Sequence, residues 1–205
     1  MQGYILNIVK VKDEDLIVTL LTENRLKTLY RFYGARHANI NLGFKIDFEI
    51  QTNAKSSIGM LRNVLHLNSI WMNNSEKFYP WQQYIKLLYQ HLKDVEELDP
   101  FYMNLLDEIN KKNSKQNPLR SIVESYIKLL EFEGRLHDEF ICFICEKEVN
   151  KSFILTRGYL CGHKTCLCGQ VLEYKKIKKL FSEKRTLFLS DNEIEVLWKI
   201  IQEGL

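Results

Sequence analysis

The sequence predicts an α+β chain with two parts, a small closed β-barrel followed by an α-helical region that carries a metal-binding loop. Three observations lead to this prediction. Apolar residues recur with a period near two up to about Trp71 and with a helical period beyond it. All five cysteines fall between residues 142 and 168. We therefore expect a β-domain over residues 1–72 and a helical domain over residues 73–205, with the loop at about 142–168.

Five short strands are expected in the first 70 residues. The clearest pattern lies at 44–51, where Phe44, Ile46, Phe48 and Ile50 alternate with polar residues, as in a half-buried strand. Because no helical pattern separates the strands and closure removes exposed strand edges, we expect a barrel of the OB type or the SH3-like type. The other four strands are expected at 4–11, 16–22, 26–33 and 58–67.

Helical signals follow the barrel. Asn117 and Pro118 mark a helix start, since asparagine caps helices well and proline fits the first helical position. Ser190 and Glu193 have the spacing of a capping box. The helices are expected near 81–92, 100–110, 118–134, 174–181 and 191–202.

The net charge does not by itself indicate a partner. The chain has 29 Lys plus Arg against 26 Asp plus Glu, a formal net charge of +3, which is too small to argue for nucleic acid. The distribution is uneven, because residues 71–140 carry 9 basic and 12 acidic residues whereas both flanking segments are basic. DNA contacts by the two outer segments are compatible with this pattern.

Cysteine usage indicates the compartment. An odd number of cysteines in one short segment is typical of a metal site in a reducing environment, whereas secreted domains pair an even number in disulfides. The N-terminus shows no signal-peptide pattern, and no apolar run reaches the roughly 18 residues of a membrane span. We expect a cytoplasmic protein without a membrane partner.

The cysteine segment predicts a zinc site. Cys142 and Cys145 are separated by two residues, a gap that lets both side chains of one tight turn reach the same ion. We prefer His163 with Cys166 as the second pair because they repeat this gap, although the spacing leaves other combinations open. A closed site with four protein ligands predicts structural Zn²⁺ rather than catalytic metal. The candidates for the second pair are Cys161, His163, Cys166 and Cys168.

A basic and aromatic segment at 25–37 contains no acidic residue. On a strand, one face carries Lys27, Leu29, Arg31 and Tyr33, and we expect this face, on which basic and aromatic groups meet, to be exposed to solvent. Cations that follow phosphates and rings that stack on bases are what single-stranded nucleic acid requires. The alternative interpretation is a solvated strand face without a partner. The candidate DNA-binding residues are Arg25, Lys27, Arg31, Tyr33, Arg36 and His37.

A second basic segment covers residues 175–185, where Glu183 is the only acidic residue. Such a helix is able to face phosphates or an acidic peptide, or it is only a solvated surface. Its basic residues are Lys175, Lys176, Lys178, Lys179, Lys184 and Arg185.

Motifs of common enzyme classes are absent from the sequence. It contains no Walker A loop, no Gly-x-Ser-x-Gly elbow, no His-Glu-x-x-His motif and no Gly-x-Gly-x-x-Gly motif. We therefore expect a protein that is not an enzyme.

The order of these features resembles the bacterial recombination mediator family RecO. The resemblance rests on the segment 33–37, Tyr-Gly-Ala-Arg-His, after the third strand, on Glu14 and Asp15 before a strand ending in Leu21, and on the late Cys-x-x-Cys loop. It implies an OB-fold followed by an α-helical domain with a zinc finger.

The resemblance also implies a function and partners. Members bind single- and double-stranded DNA, anneal complementary strands, and act with RecR to load RecA onto DNA coated by single-stranded-DNA-binding protein. The acidic C-terminal tail of that coating protein docks on the helical domain. Arg31, Arg36 and His37 lie at the positions where the family contacts DNA, whereas Arg25 and Lys27 follow from the charge pattern alone.

We therefore expect a DNA-binding and annealing protein of recombinational repair, located in the cytoplasm at the nucleoid. The alternative is a zinc-stabilised interaction or assembly module that binds acidic peptides.

Overall fold

Five strands form a closed barrel at the N-terminus of the computed structural model, which describes residues 1–12, 14–36, 39–52, 56–67 and 69–205. The strand order around the barrel is β1-β2-β3-β5-β4, and β4 pairs with β1 to close it. All pairs are antiparallel except β3 with β5. The predicted OB-type barrel is confirmed. Its strands are β1 (Gln2–Lys10), β2 (Leu16–Leu21), β3 (Leu26–Arg31), β4 (Lys45–Gln51) and β5 (Met60–His66).

The barrel core consists of alternate residues of each strand, as the period-two pattern predicted. Ile46 and Phe48 of β4 are buried, and Ile50 packs against them from a partly exposed position. The polar residues between them face outward, because successive side chains of a strand point to opposite faces. The other core residues include Ile5, Leu16, Val18, Leu20, Leu29 and Leu61.

Two helices pack on the barrel, α1 (Ser75–Leu92) and α2 (Phe101–Asn113). The indole N–H of Trp81 donates to the Gly43 carbonyl at 3.0 Å. Asp107 accepts hydrogen bonds from the Tyr4 hydroxyl and the Lys45 ammonium, each at 2.7 Å. These contacts join the helices to the barrel, so the first compact unit covers residues 1–115 and extends beyond the predicted boundary at residue 72.

The second compact unit covers residues 116–205 and contains three helices with a small sheet. Asn117 caps the first helix and Pro118 opens it, and Ser190 forms the capping box with Glu193, as predicted. The sheet has the order β7-β6-β8 and was not predicted, because its strands are only two to four residues long. The elements are α3 (Pro118–Phe132), β6 (Ser152–Leu155), β7 (Cys161–Gly162), β8 (Val171–Glu173), α4 (Tyr174–Glu183) and α5 (Asp191–Gln202).

No helix in the described part of the chain combines the length and the apolar composition that a membrane span needs.

Candidate metal centre and nucleic-acid interface

Two tight turns bring four potential metal ligands together in the second unit. In the first turn, the N–H of Glu146 donates to the Cys142 carbonyl at 2.8 Å. In the second, the N–H of Cys166 donates to the His163 carbonyl at 2.9 Å. A bond from the Phe143 N–H to the Cys161 carbonyl joins the two turns at 3.1 Å. The ligand atoms of Cys142, Cys145, His163 and Cys166 all lie within 4.8 Å of one another.

The geometry around His163 fits a metal ligand. Its Nδ1 lies 3.4 Å from the Cys145 Sγ. Two ligands of a tetrahedral zinc ion with Zn–S near 2.3 Å and Zn–N near 2.0–2.1 Å would be about 3.6 Å apart. The other ring nitrogen, Nε2, lies 3.1 Å from the Glu148 carbonyl. A proton on Nε2 would be donated to this carbonyl, which leaves the Nδ1 lone pair directed at the thiols.

Backbone donors stabilise the thiolate form of Cys142. Burial on its own raises the pKa of this thiol. The N–H groups of Cys145, His163 and Ile144 outweigh burial and lower the pKa of Cys142 to about 6. Because metals bind the thiolate and not the thiol, this environment suits a ligand. The group of four is therefore able to hold a metal ion.

Cys161 and Cys168 lie outside the group of four, so the structure selects the preferred pair, His163 with Cys166, from the open combinations. Cys161 is buried, and its thiol donates to the Ile141 carbonyl at 3.2 Å. Burial, followed by the nearby Cys142 charge, raises the pKa of Cys161. Cys168 is exposed.

The prediction that the face of β3 with Lys27 and Arg31 is exposed to solvent is wrong. Leu29 is only 4% exposed and belongs to the barrel core, so the face with Lys27 and Arg31 is the inward one. The two basic side chains reach the surface because they lie near the two ends of the strand. The opposite face has Thr28 and Tyr30, and the Phe32 ring lies 4.9 Å from the Tyr30 ring.

The segment after β3 forms an exposed basic and aromatic corner, which we define as Phe32, Tyr33 and Arg36. Phe32 is 46% exposed and Tyr33 is 58% exposed. The Arg36 guanidinium lies over the Tyr33 ring at 5.4 Å from its centroid. Large exposed rings beside a cation are suited to bases and phosphates.

Two acidic residues hold the corner in place. Asp15 accepts hydrogen bonds from the Tyr30 hydroxyl at 2.6 Å and from the Tyr33 N–H at 2.7 Å. These bonds hold the pKa of Asp15 below its usual value, and the bond from the Tyr30 hydroxyl has the larger effect. Glu14 forms an ion pair with Arg36, and its carbonyl accepts from the Ala35 N–H at 2.9 Å. Sequence reasoning gave neither residue this role, because their contacts depend on the hairpin register.

The remaining candidate DNA-binding residues are less freely presented. Arg31 is half-buried, and its Nη1 donates to the Leu61 carbonyl at 3.0 Å. Burial, then the charge of Arg62, lowers the pKa of Arg31. Arg25 and Lys27 line a depression of about 360 Å³ at the β2–β3 turn. His37 lies outside the described residues.

Sequence reasoning also missed Arg62. Its side chain is exposed on β5, its Nε donates to the Gln51 amide oxygen at 3.0 Å, and its charge acts on Arg31. The parallel pairing of Tyr30 with Met60 places residue 62 next to the chain that leaves β3 at Phe32. The alternation of apolar and polar residues along this strand could have indicated that Arg62 points to solvent.

The barrel resembles a known protein family. Residues 1–72 match the protein family RecO N terminal. No curated protein matches the chain. The matched residues span the five barrel strands, whose order and closure are those of an OB-type domain. The N-terminal barrel is therefore an OB-type domain similar to the RecO N-terminal family, and the match supports a RecO-family protein.

Proposed function

We propose that this protein is a non-enzymatic DNA-binding and strand-annealing protein of recombinational repair, which helps to load the recombinase onto DNA coated by single-stranded-DNA-binding protein. The observation that carries the proposal is the exposed corner of Phe32, Tyr33 and Arg36 on a barrel that matches the RecO N-terminal family. RecR, RecA and the coating protein are the partners that this function requires. The proposed location is the cytoplasm, at the nucleoid.

The corner supplies the two kinds of contact that sequence-independent binding needs. Arg36 would contact backbone phosphates, which gives affinity without sequence preference. Phe32 and Tyr33 would stack on bases, at roughly 1 to 3 kcal/mol for each base. Since Arg36 is already paired with Glu14, an incoming phosphate has to replace that carboxylate. Bases held apart from their own strand in this way remain available for pairing.

The metal centre would stabilise the fold of the second unit. Three thiolates and one imidazole form a donor set that suits Zn²⁺, and four protein ligands leave no position for a substrate. Bound zinc would supply cross-linking of the two turns rather than chemistry. Cys142 and Cys145 anchor the first turn, and His163 and Cys166 anchor the second. The Glu148 carbonyl keeps the His163 ring in position.

The experiment is a salt titration of binding to single-stranded DNA. Arg36→Ala should weaken binding to all sequences alike and reduce the slope of log K against log salt by about 0.7, the value for one lost phosphate contact on a single strand. Lys86→Ala is the matched control, because Lys86 is an exposed cation on α1. Unchanged affinity and slope in the Arg36 variant would remove the corner from the DNA site.

A second candidate function has its own observation. A cavity of about 490 Å³ in the second unit is lined by Arg135, His137 and Arg157 together with Phe143 and Leu160. A cavity lined by both basic and apolar side chains suits an acidic peptide that ends in an apolar residue. This arrangement is what a zinc-stabilised interaction module would need. Binding of a short acidic peptide that Arg157→Ala abolishes, with no DNA binding by the wild type, would favour this function.

A further inference from the structure

We propose that helix α4 carries a second phosphate-binding surface for nucleic acid, formed by the exposed side chains of Lys175, Lys178 and Lys179. We call these three residues the α4 stripe. The inference rests on the proposed function and adds a binding site in the second unit.

The stripe is one face of an amphipathic helix. Residues three and four apart are neighbours on a helix surface, so Lys175 lies next to both Lys178 and Lys179. All three are exposed, whereas Ile177, Leu180 and Phe181 are buried on the opposite side. The buried residues fix the rotation of the helix, and the lysines consequently point to solvent.

The structure separates the stripe from the lysines that stabilise the fold. Lys176 pairs with Glu193 at 2.9 Å, and Lys184 pairs with Glu131 at 2.6 Å. Within the described part of the chain, Lys175 makes no ion pair or hydrogen bond. Of the lysines in this segment, the stripe is therefore the part that does not pair with another helix.

The contacts of the other two stripe residues leave their charges near the surface. Lys178 lies over the Tyr174 ring at 5.6 Å from its centroid, and Lys179 lies over the Phe188 ring at 4.7 Å. Lys179 has an acidic neighbour, Glu183, at 3.7 Å, and its side chain is still 51% exposed. Exposed pairs of this kind contribute little, so a phosphate is able to compete with Glu183.

Phosphate is favoured over an acidic peptide as the ligand. Peptides that dock on helices insert apolar anchors into a groove. The next residue on this face of the helix is the exposed Ser182, so the face offers no apolar side chain of its own to anchor a peptide. Lysine binds phosphate as a point charge and needs no shaped pocket. A phosphate backbone presents a row of such charges and therefore complements the stripe.

A second phosphate surface would serve annealing. Two like-charged strands repel each other, and a protein that holds both can bring them together. The barrel corner and the α4 stripe lie on different compact units, so each is able to bind a strand through its own residues.

The test compares full-length variants in salt-titrated binding and in strand annealing. The stripe variant is Lys175→Ala/Lys178→Ala/Lys179→Ala. The matched control removes the same charge from exposed lysines of the first unit, in Lys86→Ala/Lys93→Ala/Lys111→Ala. We expect the stripe variant to reduce the salt slope for duplex DNA by about 2 to 3 and to slow annealing at least tenfold, while the control stays near wild type. Unchanged far-UV circular dichroism and zinc content would show that the stripe variant is folded.

The substitution Glu183→Gln is expected to strengthen DNA binding. Removing the acidic neighbour of Lys179 should tighten DNA binding about twofold at low salt. Equal tightening in the stripe variant carrying the same change would contradict the proposal, because the stripe would then not be the site of the effect.

The remaining outcomes are distinguishable. If Arg36→Ala weakens DNA binding but the stripe variant behaves like its control, the inference fails and the proposed function stands. If the wild type binds no DNA, both fail. If the stripe variant keeps its DNA salt slope but loses binding to a synthetic Asp-rich peptide, the surface is a peptide site and the proposal is overturned.

Discussion

The Nδ1 of His163 lies 3.4 Å from the Sγ of Cys145, although the two residues are separated by 18 positions in the sequence. This contact is made across two different turns, so neither turn creates the site alone. It predicts which cysteines are essential for metal binding.

Cys166→Ser should abolish stoichiometric zinc binding, whereas Cys168→Ser should retain about one ion per chain, because Cys168 lies outside the group of four ligands. Metal analysis of purified protein measures this difference. The Cys166 variant should also unfold at a lower temperature, since binding free energy of a structural metal contributes to folding. Equal metal content in both variants would show that the ligand set is wrong.

The pairing of Glu14 with Arg36 predicts a variant with stronger DNA binding. Glu14→Gln removes the carboxylate that competes with phosphate for the Arg36 guanidinium. Exposed ion pairs contribute about 0.2 to 1 kcal/mol, so affinity for single-stranded DNA should rise by a factor of about 1.4 to 5 at low salt. Fluorescence anisotropy with a labelled oligonucleotide measures the change.

The control for this variant is the double change Glu14→Gln/Arg36→Ala. It should bind no more tightly than Arg36→Ala alone, because the released guanidinium is missing. A gain of similar size in the double variant would mean that Glu14 acts through general repulsion of DNA.

The hydrogen bonds of Asp15 predict how pH affects stability. The pKa of Asp15 in the folded chain is lower than the usual value, because the Tyr30 hydroxyl and the Tyr33 N–H stabilise the carboxylate. Its contribution to stability is therefore present above the unfolded pKa of about 3.9 and is lost as pH falls through the lower folded value. Asp15→Asn should be less stable than wild type at pH 6, and the difference should shrink in acid.

Urea unfolding at pH 6 and at about pH 3 measures this effect. Tyr30→Phe is the matched variant, since it removes only the donor to Oδ2. A difference between wild type and Asp15→Asn that is independent of pH would contradict the role given to the carboxylate.

The parts of the fold that the sequence predicted are those with a repeating pattern. Ile46 and Phe48 alternate with polar residues, so the barrel strand was visible from period alone. Alternation alone did not show which face of β3 is buried. One face carries Leu29 between Lys27 and Arg31, and the other carries Tyr30 and Phe32, so both faces contain apolar or aromatic residues. Burial of Leu29 decides the phase, and it requires the closed barrel.

The domain boundary and the small sheet depend on contacts that are distant in sequence. Asp107 lies 62 positions from Lys45, and their ion pair ties α2 to the barrel. No local signal predicts such a pair. The metal ligands were easier to predict from the sequence, because the two-residue gap between His163 and Cys166 repeats that of Cys142 and Cys145. The choice between Cys161 and His163 still needed the positions of their side chains.

A buried carboxylate in the second unit gives the last prediction. Glu124 is only 5% exposed, and its Oε1 accepts hydrogen bonds from the Thr186 N–H at 3.0 Å and the Thr186 hydroxyl at 2.9 Å. Glu124→Ala leaves both donors of the buried Thr186 without this acceptor, and each such loss costs about 1 to 3 kcal/mol. We expect the free energy of unfolding to fall by about 2 to 6 kcal/mol.

Thr186→Val removes only the hydroxyl donor and should cost less than Glu124→Ala. In the double variant Glu124→Ala/Thr186→Val the two costs should not add, because they report the same contact. Chemical denaturation of the four proteins completes the cycle. Full additivity would show that the hydrogen bond from the Thr186 hydroxyl contributes little to stability and that Glu124 stabilises the unit through its other partners.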